Sequence, residues 1–177
     1  MYVSIGSRSN VSDNAAEENR ARVFEFNPDG SGQKVYAWGI RNAVGIAFRP
    51  GTNDLWMSTN ERDEIDEDLP PDYISSVHPG GFYGWPWYYI GNHQDPRQKG
   101  KHPELADKVI VPDVLVQAHS ASLNLCFYTG NQFPVRIQRR HLRCVSWFME
   151  PLLDVPNPPG CEPVFCPLER DFTRETR

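Results

Sequence analysis

Three short groups of residues carry most of the chemistry this chain could do. The first is Arg41-Asn42, the second is Thr59-Asn60-Glu61-Arg62-Asp63, and the third is His119 within Gln117-Ala118-His119-Ser120. A guanidinium is a planar fork of N–H donors that matches a carboxylate, and an adjacent Asn adds a donor and an acceptor. Asn60 and Glu61 add side-chain oxygens to the second group. A lone His in a turn suits a pocket wall or a hydrogen-bonded structural position. The plainer reading of Arg41 is a surface salt bridge. Asp63 to Asp72 holds six acidic residues. They lack EF-hand ligand spacing and its central glycine, so most of this run reads as a solvated loop. His78, His93 and His102 read as solvated loop residues.

These groups need strands to position them. Val44 to Phe48 and Asp54 to Ser58 are β-type runs on either side of a Pro50-Gly51-Thr52-Asn53 turn. Arg41-Asn42 precedes the first run and Asn60 to Asp63 follows the second, so the hairpin carries both groups to one rim. Upstream, Met1 to Ile5 reads as a strand, Gly6 to Arg20 as a polar loop with one helical turn near Asn14 to Glu18, and Arg22 to Phe26 as a strand. Asn27-Pro28-Asp29-Gly30 predicts a turn, with Gln33 to Trp38 returning. Pro79 to Trp87 packs Gly, Phe, Tyr, Trp and Pro together, as where aromatics stack over a turning backbone. There, packing between sheets is the preferred reading of Trp85 and Trp87. Gly91 to Val111 reads as a long polar surface insertion. Val109 to Val116 and Ser122 to Thr129 are the next strands.

A repeat links these elements. Met1-Tyr2-Val3-Ser4 matches Leu55-Trp56-Met57-Ser58, and Arg8 and Arg62 follow at the same offset, 54 residues apart. That interval suits one four-stranded propeller blade with generous loops. Leu125-Cys126-Phe127-Tyr128 is a weaker third copy.

The motifs G-I-R-N-A-V-G-I-A-F-R-P, D-L-W-M-S-T-N-E-R-D-E-I and G-G-F-Y-G-W-P carry a resemblance. They are similar to the glucose/sorbosone dehydrogenase family, quinoproteins built as six-bladed β-propellers, and to its sorbosone dehydrogenase-like branch above all. The resemblance covers about residues 1–134. It implies an all-β fold: a partial six-bladed propeller of about two to three blades, ending in an irregular C-terminal tail. It also implies oxidation of a small sugar or aldehyde, such as glucose or sorbosone, with pyrroloquinoline quinone (PQQ) as hydride acceptor and Ca2+ on the quinone. Arg41 and Asn42 match PQQ-contacting positions, and His119 lies near a pocket-lining one. Asn60 and Glu61 match the calcium loop, where backbone carbonyls share the ion. The family's catalytic His falls upstream of the strand matched by Met1 to Ile5, and its acidic partner aligns near Ser7. No catalytic residue is therefore assigned, and the chain is expected to be a fragment that is inactive by itself. The alternatives are a propeller that only binds, and a metal-dependent lactonase-type propeller with a carboxylate and Asn cage.

Composition narrows the field. Net charge is -5, which disfavours a nucleic-acid partner. No apolar run approaches the roughly 18 residues of a membrane span. Met1 leads directly into a strand-like run, so no signal peptide is expected, although the family resemblance implies a periplasmic or secreted location for the full-length protein. Sixteen Pro and thirteen Gly fit turn-rich β structure. Cys126, inside Leu-Asn-Leu-Cys-Phe-Tyr, is expected to be a buried thiol.

The chain changes character at Val135. Residues 135–177 contain seven Arg, no Lys, three of the four Cys, and Pro151, Pro156, Pro158, Pro159, Pro163 and Pro167. Reading permissible codons for Val135 to Leu152 one nucleotide later recovers SEYKGDIFAAFHGSWNR, similar to the family's continuation after Gln132-Phe133-Pro134. The expectation is a propeller portion over 1–134 and an out-of-frame, unstructured tail over 135–177.

Overall fold

The computed structural model describes residues 1–127, 129, 130 and 132, together with the backbones of 141–146 and 163–167. Its strands are β1 (Tyr2–Ile5), β2 (Arg22–Glu25), β3 (Lys34–Trp38), β4 (Asn42–Phe48), β5 (Leu55–Asn60), β6 (Pro71–Ser76), β7 (Gly81–Phe82), β8 (Tyr88–Tyr89), β9 (His93–Gln94), β10 (Val114–Ala118), β11 (Ser122–Phe127), β12 (His141–Ser146) and β13 (Pro163–Pro167). Three short 3-10 turns, at Ala15–Glu17, Pro96–Gln98 and Pro103–Lys108, are the only helical elements among the described residues. The first is capped by the Asn14 side chain, which accepts from Ala16 N–H at 2.9 Å.

The sheets follow one another as propeller blades. The first has the order β1-β2-β3-β7, the second β10-β6-β5-β4, and the third β11-β12-β13; β8 and β9 form a small ribbon apart. Neighbours within the second and third sheets are antiparallel, and β7 joins β3 in parallel. The repeat read from the sequence has a structural counterpart, because β1 and β5 each begin an antiparallel run, β1-β2-β3 and β5-β6-β10.

The second sheet is buried on both faces. On one side Met57, Leu55 and Tyr73 pack with Val23, Ala37 and Ile40. On the other, Trp56 and Ile74 pack with Val116 and Leu125, and Phe127 meets Trp56 edge-on at 6.1 Å. This is why β5 is apolar without alternation over Leu-Trp-Met: successive side chains point to opposite faces, and both faces are interior. Close approach of the second and third sheets depends on Gly45. A Cβ there would lie 2.6 Å from Asn124 Cα and 2.8 Å from Leu125 N, both backbone atoms of β11.

Three expectations are corrected. β6 (Pro71–Ser76) is a strand that alternation alone does not reveal, since Asp72, Tyr73, Ile74 and Ser75 are all buried. Asp72 is thus a strand residue and not part of a solvated loop. The stretch 91–111, expected to be a polar surface insertion, contains β9 and two 3-10 turns and buries Asp95 and Gln98. Cys126 is exposed, because strand alternation sends Leu125 inward and Cys126 out. Beyond residue 134 the described backbone contains two strands, β12 and β13. The backbone groups along the edge of β11 pair with β12, and β12 with β13, an arrangement open to any extended segment whatever its side chains. The rest of 135–177 lies outside the described residues.

The tight contact at Gly45 is testable. Gly45→Ala is expected to destabilise the fold by about 1–3 kcal/mol through overpacking against β11. A urea unfolding midpoint unchanged from wild type would show that the two sheets do not pack this closely.

Candidate functional site

The site is built where four chain segments end on one rim. β4 and β5 pair with Asn42 opposite Asn60, so Arg41-Asn42 and Asn60-Glu61 leave the same end of the second sheet. The β10–β11 turn brings His119, and the loop after β1 brings Ser7 and Asn10. Gly39 makes the entry to this rim: its φ is +70°, and a Cβ would strike the Phe82 ring at 2.4 Å. Ser7 N–H then donates to Arg41 O at 2.7 Å, tying the first sheet's loop to the second.

Asp63 is the hub. Its Oδ2 is 3.9 Å from an Arg41 guanidinium nitrogen, and its Oδ1 is 3.1 Å from His119 Nδ1. Its backbone is fixed from two sides. Asn10 Nδ2 donates to Asp63 O at 3.0 Å while Asp63 N–H donates to Asn10 Oδ1 at 2.9 Å, and Arg97 also donates to Asp63 O at 3.0 Å. The other His119 nitrogen faces Asp66 O at 3.3 Å. Partial burial works against the His119 cation, but the Asp66 carbonyl and the Asp63 carboxylate outweigh it and raise the His119 pKa above its ordinary value. The protonated form is thus favoured by folding. That contribution is full below the ordinary imidazole pKa and is lost as pH rises through the raised one.

The five residues singled out from sequence separate into two groups. Arg41, Asn42, Asn60 and His119 do come to one rim. Arg41 Nε and Asn60 Oδ1 are each buried without a hydrogen-bond partner, so a donor and an acceptor remain to be satisfied there. Glu61 turns away: its Oε2 accepts from Arg62 N–H at 3.1 Å and from Arg62 Nε at 3.0 Å. Among the described residues no three His, Cys, Asp or Glu side chains gather as a metal cluster. A calcium ion here would rest on Asn60 Oδ1 and main-chain carbonyls, not on the Glu61 carboxylate. An anion has a better-defined partner. The Arg41–Asp63 pair is long, and the Asp63 side chain is 57% exposed, so an incoming carboxylate competes with a weak contact.

Sequence reasoning missed the support beneath this rim. Arg62 is fully buried, whereas an Arg in a polar loop is expected in solvent. Its guanidinium donates to Glu61 Oε2, to Pro86 O at 2.8 Å, to Asp95 Oδ2 at 3.2 Å and to Tyr88 O at 2.6 Å. Asp95 in turn accepts from Arg97 at Oδ1 (3.0 Å) and Oδ2 (2.9 Å). Burial would raise the Asp95 pKa, but the hydrogen bonds from Arg97 and Arg62 reverse this and hold it below the usual carboxylate value. Asp72 was missed as well. Its Oδ1 accepts Glu61 N–H at 2.8 Å, anchoring the end of β5. Burial pushes the Asp72 carboxyl up to about 6, only partly offset by the backbone N–H groups of Glu61 and Ala121.

A sequence model of the glucose/sorbosone dehydrogenase family matches residues 1–137, and the chain belongs to that family. An uncharacterized protein of Borreliella burgdorferi is 30% identical over 136 residues, which are 76% of this chain and 35% of that protein. Solved structures share the fold at low identity. A calcium structure of a Trichoderma reesei protein from carbohydrate-active enzyme family AA12 superposes with a TM-score of 0.65 at 16% identity, over 81% of this chain and 44% of that one. The PQQ domain of pyranose dehydrogenase from Coprinopsis cinerea, in its holo form, gives 0.61 at 18%, over 85% and 46%. The soluble aldose sugar dehydrogenase of Escherichia coli, in its apo form, gives 0.61 at 20%, over 82% and 44%. The chain thus spans about a third of the length of the curated relative and under half of these structures. The partial β-propeller fold expected from sequence is the fold observed. No helix among the described residues is long and apolar enough to cross a membrane.

Asp72 gives the rim a pH signature. Its folded pKa, about 6, exceeds the ordinary unfolded value of about 3.9. The native state therefore favours the protonated acid. This contribution to stability is full below the unfolded value and is lost as pH rises through about 6, a loss of roughly 3 kcal/mol at most. Asp72→Asn keeps an oxygen for Glu61 N–H and removes the titration. Its stability relative to wild type is expected to rise between pH 4 and 6 and then level off. Parallel unfolding curves for the two proteins across that range would contradict the assignment.

Proposed function

We propose that this rim is part of the cradle of a quinoprotein sugar or aldehyde dehydrogenase, and that the chain by itself binds the quinone without turning over substrate. The observation that carries the reading is the convergence of Arg41, Asn42, Asn60 and His119 at one end of the second sheet, with Arg41 Nε and Asn60 Oδ1 unpaired. PQQ has three carboxylates and an ortho-quinone. Arg41 would hold anionic oxygens, a protonated His119 would line the pocket and balance their charge while its ring nitrogens stay on Asp63 and Asp66, Asn42 would orient the ring edge, and Asn60 with neighbouring main-chain oxygens would hold Ca2+. When bound, the quinone would supply the hydride-accepting carbonyl. This chain's residues would bind, orient and balance its charge. Asp63 would be released from Arg41 as a ligand carboxylate takes its place.

No base is assigned to the substrate proton. Proton abstraction needs a group within hydrogen-bond reach, and His119 is held by Asp63 and Asp66. Glucose- or sorbosone-type oxidation and a periplasmic or secreted setting belong to this proposal through the family. So does the reading of 135–177 as an out-of-frame product, which sequencing the gene through codon 135 decides.

The test is an absorbance titration of PQQ with the purified chain and Ca2+. Saturable binding is expected, weakened at least roughly ten-fold by Arg41→Ala and not rescued by Arg41→Lys, since an ammonium lacks the planar fork. Spectra unchanged by the protein would sink the cradle. Quinone-dependent sugar oxidation by the isolated chain would overturn the inactivity.

A further inference from the structure

A second feature lies beside the rim, and the quinone reading does not use it. A cavity of about 350 Å³ opens between the loop after β1 and the aromatic corner at 85–87. That volume is at the lower end for small-molecule sites, which run from about 300 to 1,000 Å³. Trp38, Trp85 and Trp87 line it together with Glu18, Arg20 and Arg22, and Arg22 stands beside Trp38 as its cross-strand partner on β2.

The aromatic wall is rigid. Trp38 stacks on Phe82 at 4.1 Å and 27°, and Trp87 lies against His102 at 4.0 Å. Both indoles are only partly buried, so each keeps surface for the cavity. Two of the indole N–H groups are already engaged. Trp85 Nε1 donates to Asn10 O at 2.8 Å and Trp87 Nε1 to Asp13 Oδ2 at 3.2 Å. What these two rings offer an incoming molecule is therefore apolar.

The charges nearby are mostly spoken for. Asp13 pairs with Lys101 at 2.9 Å. Glu17 is buried and accepts the backbone N–H groups of Arg8 at 2.9 Å and Ser9 at 2.7 Å. Arg20 donates to Gly6 O, and one Arg22 nitrogen donates to Asn19 Oδ1. A cation would find its carboxylates occupied, Glu18 apart. The remaining Arg N–H groups and the Glu18 carboxylate provide donors and acceptors with little net charge.

We propose that this cavity is a sugar-binding subsite, taking a neutral pyranose whose C–H face lies on the indoles and whose hydroxyls reach Glu18 and Arg22. Backed indoles, with polar groups at their margin, match a ring that is apolar on its faces and hydroxylated at its edge. The subsite is distinct from the Arg41 rim and does not need the quinone.

The test uses the purified chain and follows the indole N–H signals by 1H–15N NMR while D-glucose or cellobiose is added. Saturable shifts of the Trp38 and Trp87 signals are expected. Trp38→Leu is expected to weaken binding roughly ten-fold. Arg22→Ala, a change outside the Trp38–Phe82 and Trp87–His102 ring contacts, is expected to weaken it several-fold and keeps the test decisive if the Trp38 variant does not fold. Arg41→Ala is expected to leave these shifts intact while quinone binding falls, which separates failure of one site from failure of the other. The proposal is overturned by shifts that do not saturate, by shifts confined to signals near Arg41 and His119, by equal affinity in the Arg22 variant, or by stronger binding of choline than of either sugar.

Discussion

The buried Arg62 guanidinium is the constraint from which the rim takes its shape. Four hydrogen bonds tie it to two carboxylates and two backbone carbonyls, and the rim loop runs directly from it into Asp63. A buried cation is tolerated only when paired and fully hydrogen-bonded, and removing a partner leaves an uncompensated charge. The arrangement meets this requirement by alternation: Glu61, Arg62, Asp95 and Arg97 form a chain of opposite charges. It fixes where the loop leaves β5, and so which way Asn60 and Asp63 can face.

The aromatic corner depends on the same cation. Pro86 and Tyr88 present their carbonyls to Arg62 only because the chain turns sharply there, and Tyr89 lies 5.9 Å from the guanidinium carbon. Asn10 completes the linkage, with its side chain on Asp63 and its carbonyl on Trp85. Three sequence-distant segments are thereby held in one place, and both the rim and the neighbouring cavity inherit their walls from that junction.

Much of the fold was legible because it follows from local pattern. The β4–β5 hairpin, the Asn27 to Gly30 turn and the single turn at Asn14 rest on residue types with direct conformational consequences. The convergence of Arg41, Asn42 and Asn60 was legible for the same reason, since a hairpin returns its two ends together. What stayed hidden depends on environment. Arg62 and Asp72 look like solvent residues, and nothing in their neighbours' identities announces partners at positions 95 and 121. Glu61 was assigned to a metal on position alone, whereas the structure engages its carboxylate with Arg62. Cys126 sits in an apolar run, yet the strand has only one inward face at that point. β6 was overlooked because both of its faces are interior, which erases alternation.

The double burial of β5 has a consequence for how the polypeptide reaches this state. Its Trp56 finds cover only when residues near 116 and 125 arrive, and its Met57 only against segments near 23 and 37. The middle blade therefore cannot mature alone as it emerges from a ribosome. It must wait, with apolar side chains bare, for some sixty residues more, and closing such distant pairings is slow relative to local hairpins.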